Sequence, residues 1–314
     1  MSTQTYRYNV VMILSLCFVA GTVFLYYTNL VVQAAQVAVI MPPTVSTTTQ
    51  IIARTVQPQQ TPKIVIGAQA AILAKVDLEQ NVLDVLYEKN AMQVLPIASI
   101  SKLVTAYSII QTRKLTDTFK VTRQAVNGPW PSRKFTVGDT FTLRELLKAM
   151  LVESNNDAAR VLAAATGERK FVSTMNTAAV NMELSHTTFY TSDGTDQQLA
   201  SSTKINVSNA EDVARLIVQI YQKAPGVLQV TTLPRVKVSD VTGLKVFTAH
   251  STNKLLSMFT DGFILLGGKT GTTSSDVRHL VLLFKDLKGD MYVAVVLGAQ
   301  DNFKDMQTLL ETLI

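Results

Sequence analysis

A serine followed three residues later by a lysine, as in Ser99-Ile100-Ser101-Lys102, puts a hydroxyl and an amine one turn apart on the same face of a helix. A serine hydroxyl is a weak nucleophile at neutral pH. It needs a base within hydrogen-bond reach and a third group that positions that base. Lys102 can take the Ser99 proton only where burial or a neighbouring cation lowers its pKa enough to leave part of it neutral. The chemistry of such a pair is acyl transfer through an ester on Ser99. Two later strings carry complementary groups. Ser154-Asn155-Asn156 offers a hydroxyl able to relay a proton to a leaving amine, and in Asn156 an amide able to hold both Lys102 and a substrate carbonyl. Lys269-Thr270-Gly271 offers a cation, a hydroxyl for a carboxylate, and a glycine that admits a substrate backbone closely. The backbone N–H groups of Ser99 and Thr272 are the natural oxyanion hole, where one donor is worth about a hundred- to thousandfold in rate.

Taken singly, each string has a plainer reading. Ser99 can cap a helix with Lys102 on its solvent face, Ser154 and Asn156 can form a capped junction between helices, and Gly267–Gly271 can be a flexible turn. The argument for a site rests on all three occurring in order in one chain.

The pattern of the chain supplies elements to hold them. Ala70–Val76 and Val82–Tyr87 alternate as two strands joined by a polar turn at Asp77–Asn81, a hairpin by pattern. A helix is expected from Ile100 to about Arg113. Leu143, Leu146, Leu147, Met150 and Leu151 keep helical spacing through Thr142–Val152, and Asn156–Thr166 does likewise, so Ser154-Asn155 falls between two helices. Ser208 is placed to cap a further helix running to about Lys223. Leu266–Thr272, Leu280–Lys285 and Tyr292–Leu297 have the composition of strands, and a short helix begins near Asn302. Strands open and close this stretch and helices fill its middle. The expected fold is therefore α/β of the α+β type, an antiparallel sheet built from both chain ends with a helical lobe inserted.

Composition narrows the function classes. With 314 residues and 47% hydrophobic content the chain can bury a large core. Its net charge of +6 is uneven: residues 1–63 carry Arg7, Arg54 and Lys63 and no acid, which leaves 26 basic against 23 acidic residues beyond them. That balance is too mild and dispersed for a nucleic-acid partner. His186, His250 and His279 are scattered with no ligand-pair spacing, so no metal and no cofactor is expected. Cys17 is the sole cysteine and lies in an apolar run from Val10 to Tyr27 that continues less purely to Val32.

That run approaches the roughly 20 residues that span a bilayer, and Arg7 before it keeps the N-terminus cytoplasmic. Residues 1–35 are accordingly expected to be a cytoplasmic stub with a transmembrane anchor, contacting the membrane through residues 10–32. Val32-Gln33-Ala34 leaves a cleaved signal open as an alternative. Residues 36–63 shift to Thr, Gln, Pro and Val, with Pro42-Pro43 and Pro58-Gln59-Gln60-Thr61-Pro62, as in an extended tether. Residues 64–314 form the expected catalytic domain. In either version this domain lies outside the cytoplasmic membrane.

From about Ile66 onward the chain resembles the serine D-alanyl-D-alanine carboxypeptidases, the low-molecular-mass penicillin-binding proteins. Ala98–Leu103 is similar to that family's nucleophile segment, and Thr142–Leu147 leading into Glu153–Ala159 resembles its second motif with the preceding helix. Met175-Asn176, Thr188-Phe189 and Asp193-Gly194 echo the stretch between motifs, and Asn253–Leu256 followed by Gly267–Thr273 resembles the approach to the third. The resemblance implies a β-lactamase/DD-peptidase-like fold and a D,D-peptidase acting on peptidoglycan stem peptides, with β-lactam antibiotics as covalent inhibitors. It implies Ser99, Lys102, Ser154 and Asn156 as catalytic groups and Lys269, Thr270, Gly271 and Thr272 as substrate-binding ones.

The sequence also departs from the family. Many relatives continue into a β-rich C-terminal domain with an amphipathic membrane helix, whereas this sequence stops soon after its last expected strand; an N-terminal anchor would substitute. Many place an arginine after the final strand to bind the substrate carboxylate, but Ala299–Asp305 holds only Lys304 as a cation. The expected activity is that of a serine D-alanyl-D-alanine carboxypeptidase, endopeptidase, or both. A serine β-lactamase shares the motifs but needs a second carboxylate base, and no Glu-x-x-Leu-Asn string lies between Ser154 and Lys269. A catalytically silent wall-peptide-binding protein is the remaining alternative.

Overall fold

Leu280, Leu282 and Phe284 enter one hydrophobic core while Val281 and Leu283, between them in sequence, enter another. Alternate residues of a strand point to opposite faces, so a strand covered on both sides is a continuous apolar run. The same holds for Ala294 and Val296 against Val293 and Val295. The sheet is thus the middle layer of three. The computed structural model describes residues 52–55, 64–198, 202–259 and 262–313.

Its six strands are β1 (Ile52–Thr55), β2 (Ala70–Asp77), β3 (Val82–Lys89), β4 (Phe263–Thr272), β5 (Arg278–Asp286) and β6 (Met291–Ala299), in the order β1-β3-β2-β6-β5-β4. All neighbouring pairs are antiparallel except β1 with β3. The sheet made from both ends of the chain is as the sequence suggested. The parallel edge strand is not: it pairs Ile52 with Val82 and Thr55 with Val85, inside the stretch expected to be an extended tether. The apolar segment 10–32 lies outside the described residues, and no helix among the described residues is long and apolar enough to cross a membrane.

Between β3 and β4 the chain builds the helical lobe from α1 (Lys102–Ile110), α2 (Leu143–Val152), α3 (Asn156–Ala164), α4 (Glu168–Asn181), α5 (Ala210–Lys223) and α6 (Pro225–Thr231). One core runs from β2, β5 and β6 into α1, α2, α3 and α5, through residues such as Ile72, Val281, Val295, Leu103, Leu146, Leu162 and Ile217. On the other face α7 (Asn302–Leu310) covers the sheet with Met306, Leu309 and Leu310 against Leu280, Leu282 and Phe284.

Helix α5 starts differently from the expectation. Asn209, not Ser208, is its cap: the Asn209 Oδ1 accepts the Asp212 N–H at 2.7 Å. Ser208 belongs to a two-residue strand paired with Leu95-Pro96, and its hydroxyl lies 2.7 Å from that of Thr187. Asn209 is fully buried, so water cannot replace its carbonyl. Asn209→Ala should lower stability by about 1–2 kcal/mol, measured by denaturant unfolding, whereas Ser208→Ala should leave the helix start intact.

Candidate active site

Ser99 caps nothing. It sits inside a single turn of 3-10 helix, Ala98–Ser101, that runs straight into α1. Ala98, just before it, has φ +44°, a left-handed conformation rare outside glycine. The turn is fixed by the Ile100 N–H donating to the Ile97 carbonyl at 3.1 Å and by the Ser101 hydroxyl donating to the Ala98 carbonyl at 2.7 Å. Lys102 then lies beneath Ser99, as the three-residue spacing requires.

Lys102 is fully buried. Its Nζ donates to the Ser99 Oγ at 2.7 Å, to the Asn156 Oδ1 at 2.7 Å and to the Asp193 backbone carbonyl. Three acceptors match the three donors of an ammonium group, so the charged form is satisfied despite its burial. Burial nonetheless pulls the Lys102 pKa down to about 8; the Asp193 charge opposes the shift and the Arg160 charge adds to it. A proton lost from this amine leaves a lone pair facing the Ser99 hydroxyl.

The second string lies at the junction of α2 and α3, where it was expected. Asn155 caps α3, its Oδ1 accepting the Ala158 N–H at 3.0 Å, and this makes Asn156 the first helical residue. Ser154 is held at φ +61°, the kind of strained backbone that persists where the surroundings over-determine it. Its hydroxyl accepts from the Lys269 Nζ at 2.8 Å. Lys269 is also buried, donates to the Thr270 carbonyl at 2.8 Å, and has its pKa pushed well below the ordinary value by burial first and the Lys102 charge second. Thr270 shares a 2.6 Å hydrogen bond with Thr252.

Lys269, Thr270, Gly271 and Thr272 lie on β4, the edge strand of the sheet. Gly271 has a reason the sequence did not reveal. A Cβ there would stand 2.8 Å from the Ile97 carbonyl oxygen and 3.2 Å from the His279 ring. The close approach it permits is that of the chain's own nucleophile turn.

Ser99 stands where two hollows meet. One, of about 440 Å³, is lined by Ser154, Asn156, Thr252, Lys254, Thr270 and Arg278 among others. The other, of about 470 Å³, includes Trp130, Asn156, Gly194, Asp196, Thr272 and Ser274. The seven residues singled out in the three strings, and Thr272 after the third, are therefore brought together around one cleft.

Several neighbours were not singled out. Arg160 donates to both Asp157 and Asp193 at 2.5 Å, so the loop that carries the Lys102 acceptor is pinned to α3. Gly194, at φ +80°, lies so close to the nucleophile turn that a Cβ would stand 2.2 Å from the Ala98 carbonyl oxygen. Arg278 pairs opposite Thr272 in the β4–β5 register and contacts Asp276 at 3.1 Å. Counting back along the β5 strand from the third string would have found it.

A serine on a buried lysine, in a cleft between a helical lobe and the edge of an antiparallel sheet, defines the class of active-site serine acyl-transfer scaffolds. Residues 55–301 match the family described as D-alanyl-D-alanine carboxypeptidase, and the chain belongs to that family. It is 30% identical over 243 residues to the D-alanyl-D-alanine carboxypeptidase DacC of Escherichia coli, covering 72% of this chain and 57% of that one. It is likewise 30% identical over 210 residues to a D-alanyl-D-alanine endopeptidase of Pseudomonas aeruginosa, covering 65% and 64%. The chain thus spans under two thirds of the length of these relatives. Among solved structures, a penicillin-binding protein from Listeria monocytogenes with cefotaxime bound superposes with a TM-score of 0.66 at 29% identity, covering 80% of this chain and 98% of that one. A D-alanyl-D-alanine carboxypeptidase from Mycobacterium tuberculosis gives a TM-score of 0.70 at 24% identity, covering 82% and 95%, a likeness of fold.

Proposed function

We propose that this chain is a serine D,D-peptidase that trims or cuts D-alanyl peptides of peptidoglycan and is acylated by penicillins. The observation that carries this reading is the Lys102 amine, fully buried, 2.7 Å from the Ser99 hydroxyl and with its pKa lowered to about 8. Neutral Lys102 takes the Ser99 proton as Oγ attacks the carbonyl carbon of the penultimate D-alanine, and the oxyanion forms against the N–H groups of Ser99 and Thr272. The C–N bond then breaks, the leaving amine receives a proton through Ser154, and water hydrolyses the ester to restore Ser99. Asn156 holds Lys102 and the substrate backbone. Lys269 keeps Ser154 oriented, and Thr270 with the Arg278 and Lys254 cations receives the terminal carboxylate, the task that relatives give to an arginine after the last strand. Relatives named as carboxypeptidase and as endopeptidase both support this chemistry.

In this reading residues 10–32 anchor the chain in the cytoplasmic membrane, the residues between that segment and β1 connect it, and the part from β1 onward works on the outer side of that membrane. The test is time-resolved labelling of the full-length protein with a fluorescent penicillin beside Ser99→Ala. A stable label that requires Ser99 is expected. Drug consumed without a stable label would point to a serine β-lactamase, and neither label nor turnover in folded protein would leave only peptide binding.

A further inference from the structure

Of the three acceptors around the Lys102 amine, two have other tasks: Ser99 carries the nucleophile and Asn156 faces the substrate. The third is the backbone carbonyl of Asp193, so its place is set by whatever holds the loop around it. Three helices hold that loop. From α1 the Thr105 hydroxyl donates to the Ser192 carbonyl at 2.5 Å, and from α3 the Arg160 guanidinium donates to the Asp193 carboxylate at 2.5 Å. From the first residue of α4 the Glu168 carboxylate accepts the Ser192 N–H at 2.7 Å on one oxygen and the Ser192 hydroxyl at 2.9 Å on the other.

A carboxylate in the first turn of a helix is favoured by the helix dipole even when it faces water. Glu168 is instead partly buried. Burial pushes its pKa up, the two bonds from Ser192 oppose the rise, and of the charges that face it Asp193 adds to the rise while Arg160 opposes it. Both of its oxygens are committed to one fully buried residue, which is the arrangement that fixes a loop. Glu168 lines neither hollow at Ser99 but a third, of about 460 Å³, together with Gln124, Arg160, Asp193 and Asp196. Its route to the chemistry is therefore the Ser192–Asp193 backbone. The charges that act on Lys102 itself are those of Asp193 and Arg160, with Lys269 as its cationic neighbour.

We propose that Glu168 is a positioning residue for the acyl transfer: by clamping both donors of Ser192 it holds the Asp193 carbonyl against Lys102, and thereby sets how readily that amine takes up the Ser99 proton. The reason lies in the hydrogen bonds of the amine. With the carbonyl in place the ammonium has its third acceptor. With the carbonyl displaced the charged form loses that acceptor while the neutral amine loses nothing it needs, so Lys102 becomes a weaker base. This inference rests on the serine acyl-transfer reading and adds to it the group that tunes the base.

The test follows penicillin acylation of the full-length protein from pH 6 to 9 in Glu168→Ala and Glu168→Gln. In Glu168→Ala the inflection should move about one unit below that of the wild type and the plateau should fall about tenfold, so the loss is about tenfold at pH 9 and nearly absent at pH 6. A merely structural defect lowers the rate by one factor at every pH. Glu168→Gln keeps the length, an oxygen for the Ser192 N–H and an amide for the Ser192 hydroxyl oxygen, so it should stay within about threefold of the wild type with its inflection unmoved. A loss in Glu168→Ala that is absent, or equal at every pH, overturns the proposal. So does a Glu168→Gln that falls as far as Glu168→Ala, which would make charge the agent. Should Glu168→Ala not fold, Ser192→Ala, which removes one of the two bonds, decides by the same criterion, with about a threefold loss at pH 9 that shrinks towards pH 6. If the wild type takes no label, the acyl-transfer reading fails and amide hydrogen exchange decides the clamp: Ser192 and its neighbours should exchange about tenfold faster in Glu168→Ala, and equal exchange overturns it.

Discussion

Lys102→Ala should lower the rate of penicillin acylation by a factor of about 10²–10⁴, the usual contribution of a positioned general base. The same removal should leave the melting point within a few degrees, because the lost hydrogen bonds to Ser99, Asn156 and the Asp193 carbonyl are offset by relief of a fully desolvated charge. Lys102→Arg should be equally slow, since a guanidinium stays protonated and has no lone pair to offer. The wild-type pH profile follows from the lowered pKa. The reactive form is the neutral amine, so the acylation rate should climb about tenfold per unit below pH 8 and level off above it. Labelling of Lys102→Ala at the wild-type rate, or a profile flat from pH 6 to 9, would remove Lys102 as the base.

Gly194→Ala should be the most damaging change outside the three strings. The added Cβ meets the Ala98 carbonyl oxygen at 2.2 Å and its carbon at 2.5 Å, and both belong to backbone that cannot rotate away. The φ of +80° adds about 1–2 kcal/mol of strain for any L side chain. Relief requires the Ser99 turn or the Asp193 loop to move, and either displaces the Ser99 N–H or the carbonyl that receives Lys102. Loss of one oxyanion donor alone is worth about 10²–10³ in rate, so acylation should fall at least that far while the far side of the sheet stays folded. Amide hydrogen exchange beside penicillin labelling would check both halves. A variant that labels normally would mean the turn accommodates the methyl without shifting Ser99.

What could be seen in the sequence was whatever local pattern alone decides. β5 and β6 are apolar on both faces, so their composition announces them. The three strings could be placed on a helix start, a helix junction and an edge strand because each is flanked by a strongly periodic segment. Helix α4 was not anticipated. Its preceding residue, Gly167, offers no side-chain cap, and its apolar stripe is reduced to residues such as Phe171, Met175, Ala178 and Ala179. The strand at Ile52–Thr55 exists only through its partner β3, and no pattern within those residues reveals it. Trp130 and Asp196 reach the cleft through loop geometry, which spacing along the chain does not encode. Gly271 has a second close neighbour, the Ile97 carbonyl, that no spacing reveals because the turn at Ile97 is remote in sequence from β4.

The pairing of β2 with β6 has a consequence for when the protein can work. Ala70–Asp77 and its antiparallel partner, Met291–Ala299, are separated by the whole helical lobe and the strands β3, β4 and β5. β4, which carries Lys269, reaches β2 only through β5 and β6. The cleft is therefore assembled by closure of the two chain ends. Contacts so distant along the chain form late, after the loop-closure entropy has been met. Ser99 and Lys102 can come together within their own helix early, but the strand that completes their site joins them only once β5 and β6 have paired back onto β2. A chain in which β2 has not yet paired with β6 would then carry its nucleophile without the means to use it, and activity would mark the closure of that pairing.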